Sequence, residues 1–325
     1  MSSSVKALPA GLKDAEKGSS LWADAYVRLK KNKLAMLGGI IVISILITCF
    51  VIAPILSWIG FDGNEQDLAN KFSGPSTKNL LGTDQLGRDL LMRVLQGGQI
   101  SLLVAIMATM LTVTIGVIYG GIAGYVGGRI GNAMMRIVDG LLAMPFLIIV
   151  ILFREVISGQ VDEIARFLID DWGWNDNDVL RFANLIPLTF AIAGFGWLSM
   201  GRIVRSSAAS LAQQEFVEAA RSLGLSHRRI LFRHILPNML GPIIIYATLT
   251  IPSFILYEAT LSYIGLGIEP PNSSWGKLIQ EGANYLETNI TVLAVPAVLF
   301  SLTLFAFNFL GDGLRDALDP KASKD

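Results

Sequence analysis

Side chains able to do chemistry are sparse in this sequence and gather in one stretch, EFVEAARSLGLSHRRILFRHILPN, residues 215–238. It holds both histidines of the chain, His227 and His234, and arginines at 221, 228, 229 and 233. The imidazoles are seven residues apart with no neighbouring carboxylate, which is not a metal-ligand pattern. The single cysteine, Cys49, lies in an apolar run and forms neither an internal disulfide nor a thiolate cluster, so it reads as packing. No Ser-His-Asp, zinc-ligand or paired-carboxylate constellation falls within the apolar runs. A phosphate loop, Gly-x-x-x-x-Gly-Lys-Ser/Thr, is missing too: the only Gly-Lys pair, Gly276 and Lys277, is followed by leucine. Alone, the chain hydrolyses no ATP. Glu258, inside the apolar run 239–264, is costly there and is expected to meet either a transport pathway or an interfacial ion partner. Asp139, with Arg136 three residues earlier, is expected to form a local helix pair.

The elements that position these residues are apolar helices. With 52% hydrophobic and 16% charged residues, a soluble fold would lack the polar surface to cover itself. The 26 basic and 26 acidic side chains cancel, so bulk charge does not point to nucleic acid. A membrane-crossing helix needs about 20 apolar residues. Residues 34–58, 100–126, 182–201 and 290–311 meet this without a charge; 135–157 carries Asp139, Arg154 and Glu155, and 239–264 carries Glu258. The expectation is an all-α membrane protein with six transmembrane helices. The first run lies too far from the start, and is too long, for a cleaved signal peptide, which favours a retained anchor.

Six spans place both termini on one side. That side collects 18 of the 26 lysines and arginines, against 8 on the other, so it is expected to be cytoplasmic. The organisation read from this is a cytoplasmic amino-terminal segment, 1–33, with an amphipathic helix; a six-helix domain, 34–312; and a cytoplasmic tail, 313–325. Within the domain a cytoplasmic loop occupies 202–237 and outer loops occupy 59–99, 158–181 and 265–289. Trp22 and Trp58 flank the first span, and Trp172, Trp174 and Trp275 fall in outer loops, as interface-seeking rings do. Gly116, Gly120 and Gly124 repeat every four residues, a ladder for close helix approach. Pro145, Pro242, Pro252 and Pro296 are expected to kink their spans.

Within the opening stretch, Phe216, Ala219, Ala220 and Leu223 share helical spacing, predicting a short amphipathic helix that Gly224 ends and Pro237 follows. A helix this short is not stable alone. It docks either on a protein or, through Arg221, Arg228, Arg229 and Arg233, on anionic lipid.

EAARSLG followed by HILP resembles the cytoplasmic loop signature of permease subunits of bacterial ABC importers. Glu218, Ala219, Ala220, Gly224, Leu236 and Pro237 match it; where an isoleucine is usual, three positions before the proline, this chain has His234. SLWADAYVRLKKNKLAMLG, LGTDQLGRDLLMRVLQGGQISL (81–102), LSYIGLGIEPPNSSWGKLI (261–279) and FNFLGDGLRDALDPK are similar to the second permease subunit of oligopeptide and dipeptide importers. The resemblance implies a type I ABC importer-like fold whose loop forms a coupling helix on an ATP-hydrolysing subunit, through Glu218, Ala219, Ala220, Arg221, Gly224, Leu236 and Pro237. It implies a homologous second permease, two ATP-binding subunits, a periplasmic or lipid-anchored substrate-binding protein, and the lipid bilayer as partners. ATP and Mg would sit on the partner subunits, with no cofactor and no metal on this chain, and no nucleic acid is involved. Asp84, Arg88, Asp89 and Trp275 would meet the binding protein, and Glu258 would line the pathway. Oligopeptide is the implied cargo; dipeptide, glutathione, murein peptide, nickel complex and oligosaccharide are the alternatives within the family.

The chain departs from the family at SGQVDEIARFLIDDWGWNDNDVLRFA, 158–183, longer and more acidic than the outer loop the family has there. A different class, a proton-coupled carrier, requires several midplane ionisable groups or two related halves, neither of which is visible here.

Overall fold

The computed structural model describes residues 21–269 and 272–318. Residues 1–20, 270, 271 and 319–325 lie outside it, and with them most of the amino-terminal segment, the end of the tail and the prolines of the last outer loop; the side chain of Trp22 is likewise not among those described.

A short helix, α1 (Leu21–Lys31), leads into the first crossing, α2 (Lys33–Ile59). Asn32 sets the boundary by accepting the Ala35 amide at 3.1 Å, which satisfies one orphan donor of α2. A π-helical turn at Thr48–Ile52 frees the Cys49 carbonyl to accept from the Gln99 side chain. After an irregular stretch comes α3 (Leu90–Val126), started by Asp89, whose carboxylate accepts the Met92 amide at 2.7 Å. The third crossing is two helices, α4 (Gly128–Leu142) and α5 (Phe146–Asp170), bent by 95° at Pro145. Then follow α6 (Asp176–Ala183), α7 (Ile186–Leu211), α8 (Glu215–Ser222), α9 (His227–Tyr263), α10 (Trp275–Ala283) and α11 (Thr291–Leu318). Among the described residues five helices are long and apolar enough to span a membrane, and the bent pair, taken as one span, makes a sixth.

The glycine ladder does what its spacing predicts. A methyl on Gly116 would collide with Met200, one on Gly120 with the Gly201 carbonyl, and one on Gly124 with the Arg205 carbonyl. Residue numbers rise together along this seam, so α3 and α7 run parallel and touch backbone to backbone. Around it, α2, α3, α7, α9 and α11 contribute one core, including Val42, Leu102, Ile192, Ile255 and Phe307. Leu29 and Ala35 pack on Gly313, which brings the start and end of the described chain to one end of the bundle. That end, with Val126 and Leu211, is the near end; the far end holds Ile59, Leu90 and Tyr263.

Several boundaries differ from the sequence expectation. The second crossing starts at Leu90 instead of 100, because its polar first turns are satisfied inside the protein (below). The fifth begins at His227, so most of the basic stretch is already helical. The acidic insertion is no loop: α5 continues through it to Asp170 and α6 folds back, burying Ala165, Val179 and Ala183 between them. Asp139 pairs across helices with Arg202 at 2.6 Å, not locally with Arg136.

Candidate functional site

At the near end, α8 is fixed from one side only. Val217 and Ala220 are buried against Val204, Ala208 and Ala212 at the end of α7 and against Ile230, Leu231, Ile235 and Met239 at the start of α9. Its carboxyl end closes through two hydrogen bonds, Gly224 N to Arg221 O at 2.9 Å and Leu225 N to Ala220 O at 3.2 Å. That pairing is a Schellman cap and requires the left-handed backbone of Gly224, φ 74°. Glu215 and Glu218 occupy the first turn, where carboxylates complement the helix dipole. Arg221 lies over the ring of Tyr125, 5.4 Å from its centroid, and the Tyr125 hydroxyl is 2.7 Å from Nδ1 of His227. Pro237 opens a 3-10 turn, Leu236–Met239, in which Leu236 is half-buried.

The apolar stripe expected on α8 is split. Ala220 faces the bundle, but its inward companion is Val217, which the spacing argument passed over. Phe216, 41% exposed, and Leu223, 81% exposed, point outward with Ala219. At 100° per residue these three share one flank, beside the buried pair and not opposite it. Glu218 is exposed as well.

The far end is assembled differently. Asp84 is 2% exposed and accepts four hydrogen bonds: from the amides of Leu86 and Arg88, from Arg88 Nε at 2.7 Å and from Arg93 Nη1 at 2.9 Å. The other side of Arg93 donates to Ser273 at 3.1 Å and lies 3.4 Å from Glu281, which also accepts from Gln85. The clasp ties residues 84–88 and the start of α3 to α10. Asp89 caps α3, and burial pushes its carboxyl above the usual range against the opposing pull of the Met92 and Leu91 amides. Trp275 is wholly buried, its indole donating to the Val94 carbonyl at 2.9 Å and filling the space left by Gly98.

Three expectations are corrected by this geometry. Trp275 and Asp84 present no surface to an outside protein, because both are consumed in packing α10 and its loop onto α3. Glu258 is also wholly buried: its carboxylate accepts from Ser101 and Ser262, each at 2.7 Å, and Ser274 stands 3.2 Å from Ser262. Among the described residues no cation pairs with it; the hydroxyls of Ser101 and Ser262 satisfy it, as a buried polar group requires. Arg93, Ser273 and Glu281, by contrast, were not singled out from sequence. Their partners lie up to 196 residues away, and no local spacing reveals them.

Known proteins are similar to this chain in sequence and in fold. The family described as binding-protein-dependent transport system inner membrane component matches residues 113–324. The chain belongs to this family. The amino-terminal part of the permease, residues 20–75, matches the N-terminal transmembrane domain of oligopeptide transport permease C. An oligopeptide transport system permease protein of Haemophilus influenzae is 40% identical over 94% of this chain and 90% of its own. The protein of the same description from Bacillus subtilis is 40% identical over 96% of this chain and 93% of its own. In fold, the permease is similar to an inward-facing structure of the MetNI methionine ABC transporter, with TM-score 0.50 at 20% identity, over 71% of this chain and 98% of that one.

Proposed function

We propose that this permease subunit moves oligopeptides inward by alternating access, paired with a homologous second permease and driven by two separate ATP-hydrolysing subunits that carry the ATP and Mg. Six crossings do not enclose a wide path, so the path runs between the two permeases. The observation that carries the reading is the two-faced α8: Val217 and Ala220 secure it to the ends of α7 and α9, while Phe216, Ala219 and Leu223 are left uncovered. An apolar flank of that kind beside Glu218, on the side to which the sequence pattern assigns 18 of 26 lysines and arginines, suits a cytoplasmic partner subunit. Gly224 fixes the turn, and Leu236 and Pro237 carry the motion along α9. At the far end a periplasmic or lipid-anchored binding protein delivers the cargo. Asp84, Arg88 and Asp89 keep the receiving loop in shape from within. Oligopeptide cargo is supported by the description of the two relatives above.

The test is purification of the complex in mild detergent with the natural chain and with a Phe216→Ser, Leu223→Ser variant. The natural chain brings down two ATPases and a second permease; the variant keeps the permease and loses the ATPases. Equal ATPase recovery, or peptide uptake that persists on a proton gradient after ATP is exhausted, would sink the coupling reading.

A further inference from the structure

Beside α8, on the side opposite its uncovered apolar flank, the structure has a groove of about 480 Å³. One wall belongs to α3, through Ile122 and Val126; the other carries Phe232 of α9; the rim is Arg221, His227 and Arg228. The apolar wall does not stop at the groove. Ile115, Ile118, Ile122 and Val126 are all exposed and succeed one another at spacings of three and four, a stripe on the outside of a membrane-spanning helix.

The rim has an excess of positive charge that no carboxylate among the described residues answers. Arg88, Arg93, Arg154 and Arg202 each have a carboxylate within 3.5 Å. Among the described residues Arg221 and Arg228 have none, nor do Arg229 and Arg233 just beyond. Arg221 is held at the rim by Tyr125, whose hydroxyl also fixes His227. On the α8 wheel, Arg221 is about 200° from Leu223 and Ala219, so a subunit seated on that flank leaves the rim open.

An apolar track ending in two unpaired guanidiniums matches the chemistry of an anionic phospholipid: acyl chain along the track, phosphate at the rim. We propose that this groove binds an anionic phospholipid of the leaflet at the near end, with its phosphate between Arg221 and Arg228 and a chain along Ile122, Ile118 and Ile115. That this leaflet is the cytoplasmic one rests on the orientation under Proposed function. The site couples the state of α8 to the membrane, since the arginine that holds the lipid belongs to the docking helix.

The experiment measures retained lipid by native mass spectrometry on the intact complex, taken from nanodiscs of equimolar phosphatidylglycerol and phosphatidylcholine. The natural complex retains phosphatidylglycerol in preference. An Arg221→Gln, Arg228→Gln variant binds it about 30-fold more weakly, from roughly fivefold for each cation near a membrane surface. Arg315→Gln, elsewhere at the near end, leaves retention unchanged. Equal retention of the two lipids by the natural complex overturns the proposal without any variant having to fold. So does a double variant that sheds its ATPases while keeping its lipid, because the groove is then part of the subunit interface. If the chain purifies without ATPases yet still selects phosphatidylglycerol, the coupling reading fails and the lipid site stands.

Discussion

The two ends of this permease treat charge in opposite ways. At the far end, Asp84, Arg88, Arg93 and Glu281 are spent on one another across three segments, and the apolar Trp275 is sealed beneath them. At the near end, apolar contacts and Tyr125 hold the loop without an ion pair, and Arg221, Arg228, Arg229 and Arg233 remain without carboxylates among the described residues. Charge closed on itself fixes a shape. Charge left open is available to another molecule.

If that contrast holds, substitutions at the far end act on stability and those at the near end on assembly. The largest effect is expected from Asp84→Ala, which leaves two arginines facing each other in a buried site and costs about 3–5 kcal/mol. Thermal unfolding in detergent measures it, and an unshifted transition would show that the clasp holds nothing. Next comes Gly120→Val in the seam, expected to lose about 1–3 kcal/mol by collision with Gly201 and Val204. Gly140→Ala, with open space around it, is its control and should be neutral or slightly stabilising. Glu258→Gln keeps the shape but turns one acceptor into a donor among serine hydroxyls that can partly reorient; a loss of about 1–3 kcal/mol is expected from the same melts. The smallest stability change, within about 0.5 kcal/mol, belongs to Leu223→Ser, because the side chain is 81% exposed. Loss of ATPases from that variant with an unchanged melt would sharpen the contrast most; a lowered melt would break it.

The sequence made the apolar crossings, the glycine seam and the short helix of the basic stretch legible, because each depends on composition or on spacing within one helix. Where it misled, the cause was long-range satisfaction of polar groups. The first turns of α3 look too polar for a span, with Arg93, Gln96 and Gln99, yet Arg93 is answered by Asp84 and Gln99 by the Cys49 carbonyl. Glu258 looked functional because its serines come from Ser101, 157 residues earlier, and from beyond its own helix. The insertion at 158–183 looked like a loop because its acidic residues mask the apolar positions, Ala165, Leu168 and Val179, that pack α5 on α6. On α8, apolar spacing correctly marked a helix but could not say which half of a wide apolar arc the bundle would take.

The seam between α3 and α7 has a mechanical meaning. Its repeat is four residues, about 6 Å of rise, so sliding one helix along the other by less than a full step drives a side chain into backbone. Together the helices make a stiff strut: α7 ends just before α8, and α3, 37 residues or about 55 Å long, begins at the clasp. Torque applied to α8 is therefore carried across the bilayer as rotation of one solid piece, with no play in the joint to absorb it.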